Sequence, residues 1–208
     1  TFRPISKDCI RIPSKEIDRN PTRDILHVTG QIASGDSLDV FVCHMPSRSG
    51  GEEQSEPYRL FTAQILKLYA DSVMAVRKNP NVIIMGDFND YPTNNSIAKV
   101  LGAKAPSENN KVETRKLYSL MDGRSDGTYR YRGEWNILDQ MIVSGNLLNG
   151  GNNVSTSYDK AQILKYPFLL EEDDRYGGDT PSRTYWGNRF HGGYSDHLPI
   201  ALDLMINN

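Results

Sequence analysis

Apolar positions along this chain change their spacing several times, and each change marks an element. Ile25-Leu26-His27-Val28-Thr29-Gly30-Gln31-Ile32 is rich in β formers. The turn-forming segment Ala33 to Ser37 follows, and then a second apolar run, Leu38 to Met45. Two such runs around a Gly-containing loop predict a β-hairpin. After a polar, Gly-rich loop from Pro46 to Ser55, apolar residues recur at helical spacing: Leu60, Phe61, Ile65, Leu68, Tyr69, Val73 and Val76. Ser55 is the expected cap, Glu56 and Pro57 suit the first turn, and Asn79-Pro80 is the stop. Val82-Ile83-Ile84-Met85 is short and wholly apolar, the pattern of a strand buried on both faces. Strand 38–45, helix 56–78 and strand 82–86 form a βαβ unit, whose two strands run parallel.

Further on the pattern weakens. A short helix is expected from Asn95 to Leu101, ended by Gly102. Residues 103–116 read as charged surface. Thr128 to Trp135 and Ile137 to Ser144 read as two strands joined by a tight turn, and Gly145 to Asn153 as loop. Residues 158–193 are long and irregular, with an acidic cluster (Glu171, Glu172, Asp173, Asp174) and many aromatics; loops of that length are commonly functional. The last strand is placed at His197 to Met205, with Pro199 suggesting a sheet edge. Residues 1–24 read as an irregular, polar segment broken by Pro4, Pro13 and Pro21.

Composition narrows the class without choosing a function. The 208 residues fit one large domain or two small ones. With 24 basic and 26 acidic residues the formal charge is −2, so there is no broad basic footprint for nucleic acid. A local groove around Arg124, Arg130 and Arg132 remains compatible with that balance. No apolar run approaches the ~20 residues of a membrane span, and a soluble monomer is expected. The two cysteines define neither a disulfide framework nor a zinc site, and Cys43 reads as a small buried hydrophobe.

Candidate chemistry sits at strand ends. His44 closes one strand, Gly86-Asp87-Phe88-Asn89-Asp90 closes the next, Asp139 opens another, and Ser195-Asp196-His197 opens the last. If the later two strands run antiparallel to the first two, all four points share one rim of the sheet. That is where open α/β sheets place ligands. Each piece alone has a plain reading: Gly-Asp-x-Asn is good turn sequence, and a histidine at a strand end is often structural. Together they crowd Asp87, Asn89, Asp139 and Asp196 beside His44 and His197. Crowded carboxylates repel one another unless a cation neutralises them, and oxygen donors suit Mg²⁺ or Mn²⁺ better than zinc. Histidines beside such an ion can donate hydrogen bonds or carry protons. The matching reaction is metal-assisted hydrolysis of a phosphate ester.

These residues resemble the motifs of the endonuclease/exonuclease/phosphatase superfamily, which includes DNase I-like nucleases, abasic-site endonucleases, sphingomyelinases and inositol polyphosphate phosphatases. The resemblance rests on Val42-Cys43-His44-Met45-Pro46-Ser47-Arg48, Ile84 to Asp90, Ile137 to Ser144 and Tyr194 to Ile200, in that order. It implies a four-layer α/β/β/α sandwich with largely antiparallel mixed sheets, and a divalent-metal phosphoesterase. Asp87 would orient or deprotonate water, and Asn89 would hold the phosphate or that water. Asp196, with Asp87, would bind the metal. His197, oriented by Asp139, and His44 would contact the phosphate. Arg48 and the loop from Arg183 to His191 are candidate substrate contacts. Tyr185, Trp186 and Phe190 in that loop are either stacking groups or anchors. The substrate class stays open among nucleic acid, phospholipid headgroups and sugar phosphates.

The flanking phrases Pro46 to Gly51 and Gly127 to Tyr131 look like a bacterial branch, with export left open. The Asn and Glu motifs that begin such proteins do not precede residue 24, and neither Asp8 nor Glu16 has the matching context. The expectation is a chain corresponding to the C-terminal two-thirds of a full member, with a domain over 25–208. A non-catalytic binding module that keeps the fold is the alternative; a Ser-His-Asp hydrolase built on Ser195 lacks the nucleophile elbow.

Overall fold

The computed structural model describes residues 2–13, 15, 22–106, 111–150 and 153–207. Glu16, Pro21 and parts of the charged segment 103–116 and the Gly/Asn loop lie outside the described residues. The start of the chain corrects the sequence reading. Phe2–Ile10 is not irregular but a strand, β1, paired antiparallel with β2 (Ile25–Ile32). Eight of its nine residues are exposed, so no apolar alternation advertises it. Pro4 is tolerated because β1 is an edge strand and its register slips between Pro4 and Ser6.

β2 turns into β3 (Ser37–His44) as the hairpin pattern foretold, with Gly35 at φ +86° in the turn. Helix α1 (Glu52–Val76) then crosses to β4 (Val82–Asp87), which pairs parallel with β3. The βαβ unit is therefore present, but the helix differs in detail. It starts at Glu52 rather than at a Ser55 cap. Ser55 lies inside it, donating to the Gly51 carbonyl at 2.6 Å and accepting from Arg59 at 2.7 Å. Its buried face is Ala63, Leu66, Ala70 and Met74, continued by Ser55, Arg59 and Thr62. Leu68, Tyr69 and Val76, expected inside, are exposed. The apolar count misjudged the phase because part of the buried strip is polar. Arg59 is completely buried and is matched by equally buried Asp90, with Nε to Oδ1 at 2.7 Å.

The helix expected near residue 95 is a π-helix, Ser96–Leu101, closed by Gly102 at φ +68°. β5 (Leu117–Ser119) follows. The expected strand 128–135 is instead a hairpin of β6 (Tyr129–Tyr131) and β7 (Glu134–Asn136). Its two-residue turn, Arg132-Gly133, has φ of +52° and +89°, the signs of a type I′ turn. β8 (Asp139–Ser144) is buried along its whole length and runs antiparallel between β4 and β5. The mixed sheet thus has the order β1-β2-β3-β4-β8-β5.

A short helix, α2 (Gly145–Leu148), replaces part of the expected loop. The remaining strands form antiparallel pairs of two or three residues: β9 (Val154–Ser155) with β16 (Met205–Ile206), β10 (Ala161–Ile163) with β15 (Ile200–Leu202), β11 (Leu170–Glu172) with β12 (Asp179–Pro181), and β13 (Tyr185–Trp186) with β14 (Arg189–Phe190). The last long strand of the sequence reading is thus reduced to β15 and β16, and neither joins the main sheet. Phe41, Leu66, Ile84 and Phe88 fill the core under α1. Leu38, Ile83, Met141 and Val143 fill the opposite face with Leu120, Met121 and Ala161. Cys43 is buried as a small hydrophobe, and Cys9 is exposed.

One buried charge fastens the far end of this sheet. Asp39, fully buried in β3, accepts from His27 Nε2 (3.0 Å), Thr29 Oγ1 (2.5 Å) and Arg77 Nε (2.8 Å), linking β2 to the end of α1. Burial alone would raise its pKa, but the hydrogen bonds from His27, Arg77 and Thr29 hold it well below the usual carboxylate range. A group depressed in this way contributes stability above its unfolded value of about 3.9, and that contribution drains as pH falls toward the folded value. Asp39→Asn is expected to cost about 3 kcal/mol at neutral pH, or about 6–12 °C in melting temperature. The gap to the parent should narrow as the pH is lowered below about 4. Thermal melts across pH check this, and a gap that stays constant in acid would contradict it.

Candidate active site

The parallel register of β3 and β4 sets His44 directly opposite Asp87. The antiparallel register of β4 and β8 sets Asp87 directly opposite Asp139. Three polar residues therefore stand in one row across three adjacent strands, at the C-terminal ends of the parallel pair. A glycine makes the row possible. Gly86 has φ +125°, and a Cβ there would overlap the Cys43 carbonyl of the neighbouring strand. Beyond Asp87 the chain is pinned by buried Phe88, whose amide donates to the Leu138 carbonyl at 2.9 Å. Asn89 takes φ +50°, a left-handed conformation that asparagine tolerates better than most residues. Its backbone N–H donates to Asp87 Oδ1 at 2.8 Å. Its side-chain amide donates to Asp87 Oδ2 (3.1 Å) and to the Met45 carbonyl (3.2 Å).

His197 reaches the row by a different route from the one expected. Ser195, Asp196 and His197 do not open a strand of the main sheet. They precede β15, and a β-bridge between Tyr129 and His197 sets them against the β6–β7 hairpin. The Leu198 amide donates to the Thr128 carbonyl at 2.7 Å, and the buried Leu198 side chain fixes the segment. His197 Nδ1 then donates to Asp139 Oδ2 at 2.6 Å, and the Tyr129 ring packs 4.8 Å from the imidazole. His44 Nε2 lies 3.3 Å from Asp87 Oδ2. Asp87, Asp139 and His197 each offer a ligand atom within 4.8 Å of the others. Asp196 is exposed, lines the same cleft and contributes no atom to that group.

The cleft encloses about 970 Å³. Besides the expected residues it is lined by Arg23, Glu52, Tyr91, Tyr129 and Asn136. The Tyr91 hydroxyl bonds the Asn136 side chain across it. Sequence reasoning missed these residues. Tyr91 and Asn136 carry a weak signal as polar neighbours of Asp90 and of the turn before Asp139; Arg23 carries none. Arg48 sits at the edge of the cleft, but its guanidinium is largely committed. Nε donates to the Asn89 carbonyl at 2.6 Å and Nη1 to Glu52 at 3.1 Å, and the group stacks 4.7 Å from the Tyr91 ring centre.

The electrostatics separate the two imidazoles. Burial would lower the pKa of His197, but the Asp139 hydrogen bond and the charges of Asp139, Asp87 and Asp196 raise it overall. His44 is lowered by burial and by the cations Arg23 and His197, against the pull of Asp87 and Asp139. Asp87 is raised, first by burial and also by the like charge of Asp139, although His197, His44 and the Asn89 amide oppose this. A crowded acid, one imidazole pushed up and one pushed down form an arrangement suited to proton handling.

Residues 1–206 match the family model described as the Endonuclease/Exonuclease/phosphatase family. The chain belongs to this family. The match takes in the first 24 residues that the sequence reading had set apart. Solved structures agree on the fold. Truncated Caenorhabditis elegans TDP2 superposes with a TM-score of 0.56 at 15% identity, covering 96% of this chain and 64% of that one. A mannosyl-6-phosphatase from Bacteroides thetaiotaomicron gives 0.58 at 16%, covering 99% and 67%. The human nocturnin catalytic domain gives 0.53 at 17%, covering 99% and 60%. The chain therefore spans just under two thirds of the length of the TDP2 structure. No curated protein matches its sequence. Family members include phosphoesterases, in keeping with an Asp/Asp/His group in the cleft.

Gly86 is the most stringent test of this local architecture. Gly86→Ala should lower stability by about 2–3 kcal/mol from the strained φ alone, before the clash with Cys43 is added. A variant that melts like the parent would show that the β3–β4 register is not as described.

Proposed function

We propose that the protein is a divalent-metal-dependent phosphoesterase that hydrolyses a phosphate ester by attack of water. The observation that carries this reading is the convergence of Asp87, Asp139 and His197 in one cleft, with His44 and Asn89 against Asp87. The residues fit a hard cation. His197 Nδ1 and one Asp139 oxygen satisfy each other, which leaves the other Asp139 oxygen, Asp87 and exposed Asp196 as oxygen donors. Burial, and with it the like charge of Asp139, raises the pKa of Asp87, and a cation beside this carboxylate would offset both. When bound, the ion supplies polarisation of the phosphoryl oxygen and offsets the charge that develops there.

The protein's own groups divide the remaining work. Asp87 orients the attacking water and takes its proton. Both amide hydrogens of Asn89 are used on Asp87 and Met45, so its Oδ1 accepts from that water and fixes its direction. Asp139 holds His197 by Nδ1, which turns Nε2 toward the substrate as a donor to a phosphoryl oxygen. His44 contacts the same phosphate from the other side of Asp87. Arg48 acts as a positioning residue, gripping the carbonyl of left-handed Asn89.

Hydrolysis of bis-p-nitrophenyl phosphate with Mg²⁺ or Mn²⁺ tests the reading. Activity should vanish with EDTA and return when Mn²⁺ is restored. Asp87→Asn should lower kcat by about 10²–10⁴-fold. Asp139→Asn should lower kcat by a similar order with little change in KM, because His197 loses its orientation. Full activity in Asp87→Asn, or in EDTA, would overturn the proposal.

A further inference from the structure

A second pocket of about 650 Å³ adjoins the cleft and shares Tyr129 and Tyr131 with it. The β6–β7 hairpin and residues 173–186 build it. Arg130 locks those two parts together: its guanidinium donates to the carbonyls of Gly133 (3.1 Å), Gly177 (2.5 Å) and Asp179 (2.5 Å). The pocket is therefore a built concavity rather than a gap between independent loops. Arg130, Arg132, Arg175 and Arg183 line it against a single carboxylate, Asp173. That carboxylate lies 3.8 Å from Arg130 and accepts the Arg175 and Tyr176 amides, so three positive charges stay uncompensated.

Each free arginine is stacked on a ring. Arg132 lies 5.2 Å from the Tyr131 centre, Arg175 5.2 Å from Tyr176, and Arg183 4.5 Å from Trp186. All three rings are about half exposed. Two details point to a ligand. Among the described residues, the buried Arg183 Nε has no hydrogen-bond partner. Arg132 occupies the first position of a type I′ turn, where its φ of +52° costs about 1 kcal/mol and Asn or Gly would be relaxed. A guanidinium is thus held in the wall of the second pocket against the local backbone preference.

Resting on the phosphoesterase reading, we propose that this pocket is a subsite for the nucleotide unit next to the scissile phosphate of a single-stranded nucleic acid. Alternating cations and partly exposed rings in a groove match a chain that alternates phosphates and bases. A simple sugar phosphate has its one anion at the scissile position in the cleft and none to offer this pocket. Exposed rings do stand beside the pocket at Tyr185 and Phe190, but the charges themselves line a concavity that a flat lipid surface does not enter. The overall charge of −2 does not oppose the assignment, since the positive field is local. The expected Arg124-Arg130-Arg132 groove is replaced by this one. Arg124 is tied to Asp126 and the Ala161 carbonyl, and Arg130 is spent on the clamp.

Fluorescence anisotropy with a labelled oligothymidylate of about eight nucleotides, in EDTA so that nothing is cleaved, tests the subsite. Arg132→Gly combined with Arg183→Ala should weaken binding about tenfold or more and flatten its dependence on salt. Trp186→Ala should weaken it by a similar factor. Arg132→Gly alone relaxes the turn, so its melting temperature should hold or rise while affinity falls, a split that a purely structural role would not give. Inorganic phosphate should compete only weakly. Unchanged oligonucleotide affinity in the double variant overturns the subsite, as does arginine-dependent binding to phosphatidylserine vesicles without oligonucleotide binding. Metal-dependent ester hydrolysis with no oligonucleotide binding also overturns the subsite and leaves the phosphoesterase reading intact. Arginine-dependent oligonucleotide binding without any ester hydrolysis supports the pocket and overturns the hydrolytic reading.

Discussion

The parallel pairing of β3 with β4 is the constraint on which the cleft depends. A shift of one residue would turn His44 or Asp87 to the other face of the sheet, because side chains alternate with a period of two. The pairing is held from both ends. Buried Asp39 and its three donors fix the start of β3. At the other end the Met45 amide donates to the Asp87 carbonyl at 2.8 Å. Gly86 allows the strands to approach where any side chain would part them. On the other side of β4, antiparallel β8 brings Asp139 opposite Asp87.

The central unit was legible in the sequence because its signals are local. Strand, helix and strand announce themselves in Val40 to His44, the helical spacing after Pro57, and Val82 to Met85. Polar residues at the ends of apolar strand runs marked His44, Asp87 and Asp139 as candidates. What stayed hidden has physical causes. β1 is exposed on both faces and carries no alternation. The inner face of α1 is partly polar, since Arg59 is buried through its pairing with Asp90. The route of His197 depends on a bridge to Tyr129, a long-range contact that no local spacing encodes. The sequence argument brought His197 to the rim by assuming a strand of the main sheet; in the structure His197 lines the cleft without belonging to one.

Arg59 and Arg48 show how the helix supports the loop after β4. Asp90, the last residue of the Gly-Asp-Phe-Asn-Asp stretch, is buried and would be costly there without a partner. Arg59 supplies it from α1, Ser96 donates to it at 2.6 Å from the π-helix, and Arg48 lies 3.6 Å away. The same Arg48 grips the carbonyl of Asn89. The loop that presents Asp87 is therefore clamped from the strand, from α1 and from the π-helix. Burying these charges gains little net stability, but it leaves the loop few alternative conformations.

Strain is distributed in a way that agrees with this division of labour. Among the described residues, positive φ outside glycine occurs only at Asn89 and Arg132. Asn89 stands beside Asp87 in the cleft, and Arg132 at the neighbouring pocket. Neither is required to close a turn, since glycine would do so without penalty. Glycine has no side chain to offer, however. At Asn89 the side chain orients the carboxylate of Asp87, and at Arg132 it adds a guanidinium to a cationic wall. Backbone strain of about 1 kcal/mol at each is small against the loss of either group. The two outliers thus fall one in each of two adjoining pockets, where side-chain chemistry outweighs backbone preference.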